Sequence, residues 1–415
     1  MVAIKSRKSL PVASDRLFDR LLRAVPGLLR QLPAARRRPR WYLAAALGAA
    51  LIPPLAAAAP KAPGTLCLNG SCATTKSQTG DRAVKWNPGH YMQIRLGDST
   101  DDMQAKRFGW YDEIASNTAI EGVALRLTWG QLEKSKGNYT FGMVRAELDK
   151  LKSLAVPKRL FIRLHDRAYG SSGQCGSGNM FPQDLRNGKG CADTGHGNTA
   201  RLWDPDVTSR LIELYRAIAQ EFDDEPYFEG LMLIRETATN GEVRDPSFSF
   251  DRYVAQLKRL ATAASEAFEQ SNVVMSVNFL GSQERVDSVI AHSAKVGVGQ
   301  GGPDVLPRDL ARSHPLAYNT LDGSSTGVEY RKRMPVLYSI EASQLGGSLC
   351  RTCTPRDLHE FAVGTLHASH LLWTRNTDTG SSSQQWEHGI LPWIQEHPID
   401  STGCPDSYAA CKSSP

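Results

Sequence analysis

The amino-acid sequence predicts an α/β protein of the (β/α)8 barrel class. Eight short apolar runs of strand type follow one another along the chain, and helical patterns separate them. No linker rich in proline or serine divides the 356 residues after position 59, and barrels of this class commonly form one domain of this size. Strands that alternate with helices in this way are typical of a parallel sheet.

The predicted strands occupy residues 91–96, 123–128, 159–164, 230–235, 273–278, 296–299, 336–340 and 370–373. The predicted helices occupy residues 101–116, 143–154, 205–222, 251–269, 285–295 and 355–366. The sixth strand and the helix after it are the most weakly marked elements. A doubly wound open sheet is the structural alternative, and it is less favoured because no glycine-rich phosphate-binding turn follows the first strand.

The longest irregular stretch, residues 166–203, follows the third strand and is rich in Gly, Ser and Asn. Long loops in compact domains are usually functional or disordered. In a barrel, the loop that follows a strand lies on the face that carries active sites. We therefore expect this loop to form a wall of a substrate cleft.

Residues 1–59 have the composition of an export leader. Positions 1–40 hold eleven Lys and Arg residues against two Asp residues, and an uncharged apolar run then extends from Trp41 to Ala59. This order is typical of a secretory signal, with cleavage expected after Ala59. The run is also close to the length that spans a bilayer, so an uncleaved tether to the inner membrane stays open as the alternative. Pro53 and Pro54 in its middle favour cleavage.

The excess of positive charge belongs to this leader. The whole chain has 49 basic and 43 acidic residues, so the part after position 40 has 38 and 41, a net charge of −3. The charge therefore gives no reason to expect nucleic-acid binding. We predict an N-terminal extension at 60–85, the barrel at 86–400 and a tail at 401–415. The expected product is a secreted or periplasmic protein, and because nothing indicates oligomerisation we expect a monomer.

All eight cysteines follow the leader, and an even number in an exported protein indicates disulfides. They form four sequence-local couples, Cys67–Cys72, Cys175–Cys191, Cys350–Cys353 and Cys404–Cys411. These couples suggest staples within loops, although the first and last could instead tie the termini together. A redox or zinc role for the third couple is less favoured, because neither a thioredoxin-like context nor a second ligand pair accompanies it.

Two glutamates stand where predicted strands end. Glu236 closes the apolar run of the fourth strand, and Glu341 follows the seventh. Barrel chemistry is located at the C-terminal ends of the strands, where strands four and seven face each other across the ring. Two facing carboxyls are what glycoside hydrolysis requires, one protonated to assist the leaving oxygen and one ionised to attack the anomeric carbon. Asp166, Asp304 and Glu133 compete for these roles.

Residues 127–141 read LTWGQLEKSKGNYTF and contain the pattern W-x-x-L-E-x-x-x-G-x-Y-x-F. Together with the strand-end glutamates, this motif resembles the clan A glycoside hydrolases, which are retaining (β/α)8 enzymes acting mostly on polysaccharides. The resemblance is scattered over residues 86–393 and singles out no family within the clan. It implies that Glu236 is the general acid/base and that Glu341 is the nucleophile.

The resemblance also implies contacts to the sugar. His165 and Asn278, at the ends of strands three and five, would bind hydroxyl groups, and three tryptophans would stack on sugar rings: Trp129, Trp203 and Trp373. Arg235 is a departure, because many clan members have Asn immediately before the acid/base, where it contacts the 2-hydroxyl. Residues 299–303, GQGGP, stand where the sixth strand usually ends in Tyr. An arginine in the cleft suits an anionic or unusually substituted glycan.

The sequence therefore predicts an exported O-glycosyl hydrolase that cleaves a polysaccharide or oligosaccharide by a retaining two-glutamate mechanism, with a glycan as partner and neither cofactor nor metal. A catalytically inactive barrel that binds polysaccharide during glycan synthesis or export is the alternative. A metal-dependent hydrolase using His90, His165 and Asp166 is less favoured, because no His-x-His pair ends the first strand.

Overall fold

The structure, a computed structural model, describes residues 65–68, 71–74, 83–94, 101–169, 175, 179–194, 197–238, 243–307, 317–321, 329–330, 332–375, 381–399 and 403–413. All of them belong to one unit, Pro63–Pro415. The predicted leader and its cleavage site lie outside the described residues. None of the helices within the described residues is both long enough and apolar enough to cross a membrane.

Eight parallel strands close into a barrel whose ring order follows the sequence. They are β1 (Gly89–Ile94), β2 (Ile120–Thr128), β3 (Arg159–His165), β4 (Phe228–Met232), β5 (Asn272–Ser276), β6 (Gly299–Gly302), β7 (Val336–Ile340) and β8 (His370–Thr374). The predicted (β/α)8 barrel is therefore confirmed. The closed ring excludes the doubly wound open sheet, and it leaves β4 three strands away from β7.

The helices are α1 (Asp101–Glu113), α2 (Trp129–Leu132), α3 (Gly142–Lys152), α4 (Pro205–Phe222), α5 (Phe250–Ala267), α6 (Gln283–Val296), α7 (Ala317–Leu321), α8 (Pro355–His359) and α9 (Leu391–Glu396). Side-chain caps fix the starts of the longer ones, since Ser249 and Ser282 accept backbone N–H groups of α5 and α6. The helix predicted at 355–366 changes after α8 into a π-helical segment, Glu360–Thr365.

One apolar layer fills the barrel axis. Its members are Tyr91, Ala124, Phe161, Met232, Val274, Leu337 and Leu372, all of them buried. Side chains alternate between the two faces of a strand, so residues an even number of positions from these also point inward. Towards the C-terminal ends of the strands, this rule turns Gln93, Arg163 and Glu341 towards the axis. The layer above the apolar one is therefore polar.

The sixth strand is the clearest correction to the predicted elements. Residues 296–299 were expected to form it, but α6 extends to Val296, Gly297 ends that helix with φ +77°, and the strand is Gly299–Gly302. A glycine-rich strand carries no apolar signal. Packing requires the glycines, because a Cβ at Gly302 would lie 2.2 Å from the ring of Tyr338 on β7.

The loop at residues 166–203 contains more regular structure than predicted. Strand Gly197–Ala200 pairs antiparallel with Arg167–Tyr169 on one side and with Cys191–Asp193 on the other. The Cys175–Cys191 disulfide joins this small sheet to the preceding part of the loop. The sheet brings residues that follow β3 back over the C-terminal end of the barrel.

The cysteine couples are confirmed where their side chains are described. Cys175–Cys191, Cys350–Cys353 and Cys404–Cys411 are disulfides with Cα–Cα distances of 5.9, 5.5 and 5.7 Å. Cys67 and Cys72 lie opposite each other in a hairpin of strands Thr65–Leu68 and Ser71–Thr74, and their side chains lie outside the described residues. Near the termini, the strand Val84–Lys85 pairs with Cys411–Lys412, so the extension and the tail are in contact.

Candidate active site

Glu341 follows β7 directly and is held from two other strands. Gln93 Nε2, on β1, donates to Glu341 Oε1 at 2.9 Å, and Arg163 Nη1 and Nη2, on β3, each lie 3.3 Å from the same oxygen. The side chain of Glu341 is 20% exposed, whereas that of Arg163 is 4% exposed. A guanidinium at this distance stabilises the ionised form of a carboxylate. The arrangement therefore suits a fixed, charged carboxylate.

The backbone of Glu341 is fixed as well. Its N–H donates to Gln344 Oε1 at 2.7 Å, within the short turn Ala342–Gln344. Gln344 is buried, and its Nε2 donates to Val305 O at 2.7 Å in the loop after β6. The loops after β6 and β7 are thereby joined just beyond the glutamate.

Glu236 lies four residues beyond the last residue of β4. The intervening chain still follows β5, because Leu233 N–H donates to Val274 O and Thr237 N–H donates to Ser276 O, both at 2.9 Å. Glu236 is only 8% exposed. The backbone bends at Ile234 and Arg235 but keeps its hydrogen bonds to β5, and it places this carboxylate at the mouth of the barrel although the regular strand has ended.

A tyrosine that the sequence analysis did not select contacts Glu236. The Tyr169 hydroxyl, in the small sheet after β3, donates to Glu236 Oε1. Its ring stacks with the Arg235 guanidinium, whose carbon lies 4.4 Å from the ring centroid. Arg167 Nη1 donates to the same hydroxyl at 3.1 Å. Tyr169 is 45% exposed, so the predicted cleft-wall loop contributes an accessible aromatic residue beside the carboxylate.

The charges of both glutamates affect the pKa of Asp304. It follows β6 and is partly buried, and burial first, then the charges of Glu236 and Glu341, raise its pKa to about 7. Arg235 and Arg163 act in the opposite direction. Because both glutamates act on one aspartate, the three carboxyls form a single electrostatic cluster at the C-terminal end of the barrel.

Asp166 has a supporting position. It is fully buried after β3, and its Oδ1 accepts the backbone N–H of Arg235 at 3.0 Å. Burial raises the pKa of its carboxyl, and the nearby Arg167 opposes that effect. Asp166 therefore anchors the backbone one residue before Glu236.

His165 and Asn278 are placed at the strand ends where the resemblance implied them. His165 is the last residue of β3 and is 2% exposed. Asn278 is half-buried two residues beyond β5, and its backbone is bonded to Thr237, whose hydroxyl accepts Asn278 N–H at 2.7 Å and donates to Asn278 O at 2.6 Å. Phe279 has φ +50°, an unusual backbone conformation that occurs preferentially at functional sites.

The three tryptophans expected to stack on sugars are buried, which corrects that expectation. Trp129 is fully buried, Trp203 is 3% exposed and packs edge-on against Phe248, and Trp373 is fully buried. Leu372 faces the barrel axis, so Trp373, its neighbour on β8, faces outward. A sugar needs an accessible indole face. None of these tryptophans offers one in this conformation.

The motif at 127–141 has a structural basis instead. Glu133 is fully buried and accepts hydrogen bonds from Trp129 Nε1 at 2.8 Å, Gly137 N at 2.9 Å and Arg210 Nε at 2.6 Å. Gly137 has φ +73°, which explains a glycine at that position. The most specific motif of the sequence therefore builds a tight turn, and Glu133 is not part of the carboxyl cluster.

The residues of the proposed metal alternative do not come together. His90 is the second residue of β1, whereas His165 ends β3, and parallel strands place these positions at opposite ends of the barrel. His90 Nδ1 accepts the Trp373 Nε1–H at 2.9 Å, which is a packing role. Within the part of the chain that is described, no group of three His, Cys, Asp or Glu side chains is arranged to hold a metal ion.

Comparison with known proteins gives no sequence relative. No family profile matches the chain, and no curated protein matches it. Among solved structures, an exo-beta-1,4-mannosidase from Opitutaceae bacterium strain TAV5 is similar, with 13% identity and a TM-score of 0.47 over 77% of this chain and 61% of that one. The chain thus spans less than two thirds of the mannosidase.

Two further similar structures also have glycosidase names. GH5_18 from Streptomyces cattleya, in complex with GlcNAc, has 13% identity and a TM-score of 0.47 over 76% of this chain and 80% of that chain. Endo-glycoceramidase II from Rhodococcus sp. has 15% identity and a TM-score of 0.40 over 70% and 67%. The closed barrel itself establishes the fold, and any functional argument depends on the site.

Proposed function

We propose that this chain is a retaining O-glycosyl hydrolase in which Glu341 is the nucleophile and Glu236 is the acid/base. One observation carries the proposal: two carboxylates from β4 and β7 share one electrostatic cluster at the mouth of the barrel, in different surroundings. Glu341 contacts a guanidinium and an amide, whereas Glu236 contacts a tyrosine hydroxyl. Paired carboxyls in unlike environments are what acid/base and nucleophile roles require.

In the first step, the ionised Glu341 attacks the anomeric carbon while Glu236, in its protonated form, gives its proton to the leaving oxygen. A glycosyl ester with Glu341 forms and the glycosidic bond breaks. In the second step, Glu236 removes a proton from water, whose oxygen replaces the carboxylate of Glu341 at the same carbon. Both carboxyls return to their starting forms, and the configuration at the anomeric carbon is retained.

The surroundings of Glu341 support the nucleophilic role. Hydrogen bonds from Gln93 and Arg163 and the backbone bond to Gln344 restrict its side chain and its backbone. A nucleophile must reach one carbon in one direction, and such restriction supplies part of the rate enhancement. Asn278, which is half-buried, and the accessible ring of Tyr169 are the groups that we propose contact the sugar, whereas His165 is only 2% exposed.

The mechanism is tested by product stereochemistry and by chemical rescue. We expect ¹H NMR of a cleaved substrate to show first the anomer with the configuration of the substrate, before mutarotation. We expect Glu236→Ala to lose turnover on glycosides with poor leaving groups, and azide to restore turnover on an aryl glycoside as a glycosyl azide of unchanged configuration. Initial formation of the opposite anomer would rule out the retaining mechanism.

The proposal includes export. Three disulfides among the described residues are typical of an oxidising compartment, which supports a secreted or periplasmic location. N-terminal sequencing of the protein from fractionated cells should give a mature chain that begins at Pro60. A membrane-bound chain that retains residues 1–59 would favour the tether instead.

A catalytically inactive polysaccharide-binding barrel is the second candidate. The observation that favours it is Arg235, which stands where many clan A members have the Asn that contacts the 2-hydroxyl of the reacting sugar. It predicts that glycans bind and that Glu341→Gln leaves binding unchanged, with no turnover by the wild type on any glycan that binds. Turnover that Glu341→Gln abolishes would exclude this candidate.

A further inference from the structure

Arg235 immediately precedes Glu236 in the chain, so it lies close to the proposed site of cleavage. Its backbone is anchored by Asp166, and its guanidinium lies over the ring of Tyr169, whose hydroxyl donates to Glu236. One aromatic ring therefore connects this cation to the neighbouring carboxylate. Arg235 is half-buried, and its charge acts on Asp304 together with the charges of Glu236 and Glu341, so it belongs to the same electrostatic cluster.

The guanidinium groups of the three arginines at the site have different partners. Arg163 forms an ion pair with Glu341, and the guanidinium of Arg167 donates to Ala238 O, Thr199 Oγ1 and the Tyr169 hydroxyl. No carboxylate of the described residues lies within 4.0 Å of the Arg235 guanidinium. Its contact within the described structure is the face of an aromatic ring. Stacking leaves the N–H groups at the guanidinium edge directed away from that ring.

The charge balance of the loaded site favours an anion. Arg163 is paired with Glu341, and Asp166 accepts the backbone N–H of Arg235 and makes no ion pair with its guanidinium. In the first step of the proposed mechanism Glu236, the carboxyl next to Arg235 in the chain, carries a proton and is neutral. A neutral sugar would then leave a half-buried cation without a counterion.

Building on the hydrolase proposal, we propose that Arg235 binds an anionic substituent of the sugar at the cleavage site, so that the substrate is an acidic glycan. A planar carboxylate, as in a uronic acid, matches the paired N–H groups of a guanidinium. A sulfate ester offers the same charge with a different geometry. Tyr169 holds the guanidinium in place and limits the entropy lost when the anion binds.

Matched substrates and variants test this inference. Oligoglucuronates, oligomannuronates and oligogalacturonates are compared with their carboxyl-reduced neutral forms, and sulfated oligosaccharides with their desulfated forms. We expect the wild type to prefer the acidic member of at least one pair by roughly 10- to 100-fold in kcat/KM, the range of a hydrogen bond to a charged group. Arg235→Gln should remove this preference mainly through KM, and Arg235→Lys should restore part of it.

Arg216→Gln is the matched control. Arg216 is an exposed arginine on α4, paired with Glu213 at 2.7 Å, so its loss should leave the preference unchanged. Equal activity of the wild type on acidic and neutral members would overturn the inference, as would an equal loss of both activities in Arg235→Gln. Either result would leave the hydrolase proposal standing. Preference for sulfated over uronate pairs would assign the anion as sulfate and support the inference.

Binding separates the two proposals. Titration calorimetry with Glu341→Gln, at low and high salt, should show tighter and more salt-sensitive binding of the acidic member. If no glycan is hydrolysed but the acidic members bind in an Arg235-dependent way, the hydrolase proposal fails and the inference holds. If no pair shows a difference in binding, the inference fails.

Discussion

Two carboxylates at opposite ends of the barrel show what distinguishes a candidate catalyst from a structural residue. Glu229, on β4 near its start, is fully buried and accepts hydrogen bonds from Asn87 N, Asn87 Nδ2 and Asn272 Nδ2 at 3.2, 2.6 and 2.8 Å. Glu341, at the opposite end, is partly exposed and shares an electrostatic cluster with two other carboxyls. Both are carboxylates in a polar network, yet Glu341 is 20% exposed whereas Glu229 is fully buried.

The comparison shows that a raised pKa does not by itself identify a functional carboxyl. Burial raises the pKa of Glu229, just as it raises that of Asp304. At Glu229, hydrogen bonds from Asn87 and the charges of Arg159, whose Nε lies 3.9 Å away, and Lys85 all oppose the effect of burial on the pKa. At Asp304, the like charges of two glutamates contribute. A carboxyl cluster at a strand end therefore indicates function, whereas burial alone does not.

The largest expected effect contrasts the two ends directly. Glu341→Gln should lower kcat by at least about 10³-fold, because the proposed nucleophile is lost while an oxygen remains for Gln93 and Arg163. Its urea midpoint should stay close to that of the wild type. Activity on an aryl glycoside and urea unfolding measure the two quantities.

Glu229→Ala should behave in the opposite way. Removing the carboxylate leaves the amides of Asn87 and Asn272 without their acceptor, which should cost about 2–5 kcal/mol in the free energy of unfolding. The folded fraction should keep a near-normal kcat. A variant that loses kcat without losing stability would place Glu229 in the catalytic machinery and contradict the structural role assigned to it.

Arg163→Gln tests whether the neighbouring cation keeps Glu341 ionised. Loss of the guanidinium removes the cation that favours the ionised carboxylate, so kcat/KM should fall by roughly 10²-fold and its acidic limb should move to higher pH. Arg163→Lys should restore the position of that limb in part. A fall in rate with an unmoved pH profile would indicate that Arg163 only supports packing.

Tyr169→Phe tests the contact at the other glutamate. It removes the hydroxyl that donates to Glu236 but keeps the ring that stacks with Arg235, so we expect a loss of roughly 10-fold in kcat. The basic limb of the pH–rate profile should shift, because the proposed acid/base has lost a hydrogen-bond partner. A profile identical to that of the wild type would remove Tyr169 from the mechanism.

Asp304→Asn should have the smallest effect on rate and a clear effect on pH dependence. The folded-state pKa of about 7 lies above the ordinary value of 3.8, so the folded protein binds the proton more tightly than the unfolded chain. Stability should therefore fall as pH rises from about 4 to 7. Asp304→Asn should remove this decline, and urea unfolding between pH 4 and 8 measures it. A wild type with flat stability over that range would contradict the assignment.

The sequence alone predicted the barrel, seven of the eight strand positions to within a few residues, and Glu341 at the end of β7. These follow from short-range pattern, because a buried strand must be apolar and an ionisable group directly after it stands out. The sequence-local cysteine couples were read in the same way, and three of them are disulfides.

The surroundings of the two glutamates depend on the tertiary structure, because their contacts come from distant parts of the chain. Gln93 and Arg163 lie 248 and 178 positions from Glu341, and Tyr169 lies 67 positions from Glu236. Closure of the ring brings them together. Alternation along β3 and β1 was a usable signal, because it turns Arg163 and Gln93 inward with Phe161 and Tyr91.

The buried tryptophans are a second case in which the sequence did not predict the surroundings of a side chain. A residue type suited to sugar stacking says nothing about which side of a strand it occupies, and Trp373 differs from inward-facing Leu372 by one position. The sixth strand depended on a tertiary contact too, because the room for Gly302 is set by Tyr338 of the neighbouring strand. The local sequence pattern determines which secondary structure each segment forms, and packing across the ring determines which residues each side chain contacts.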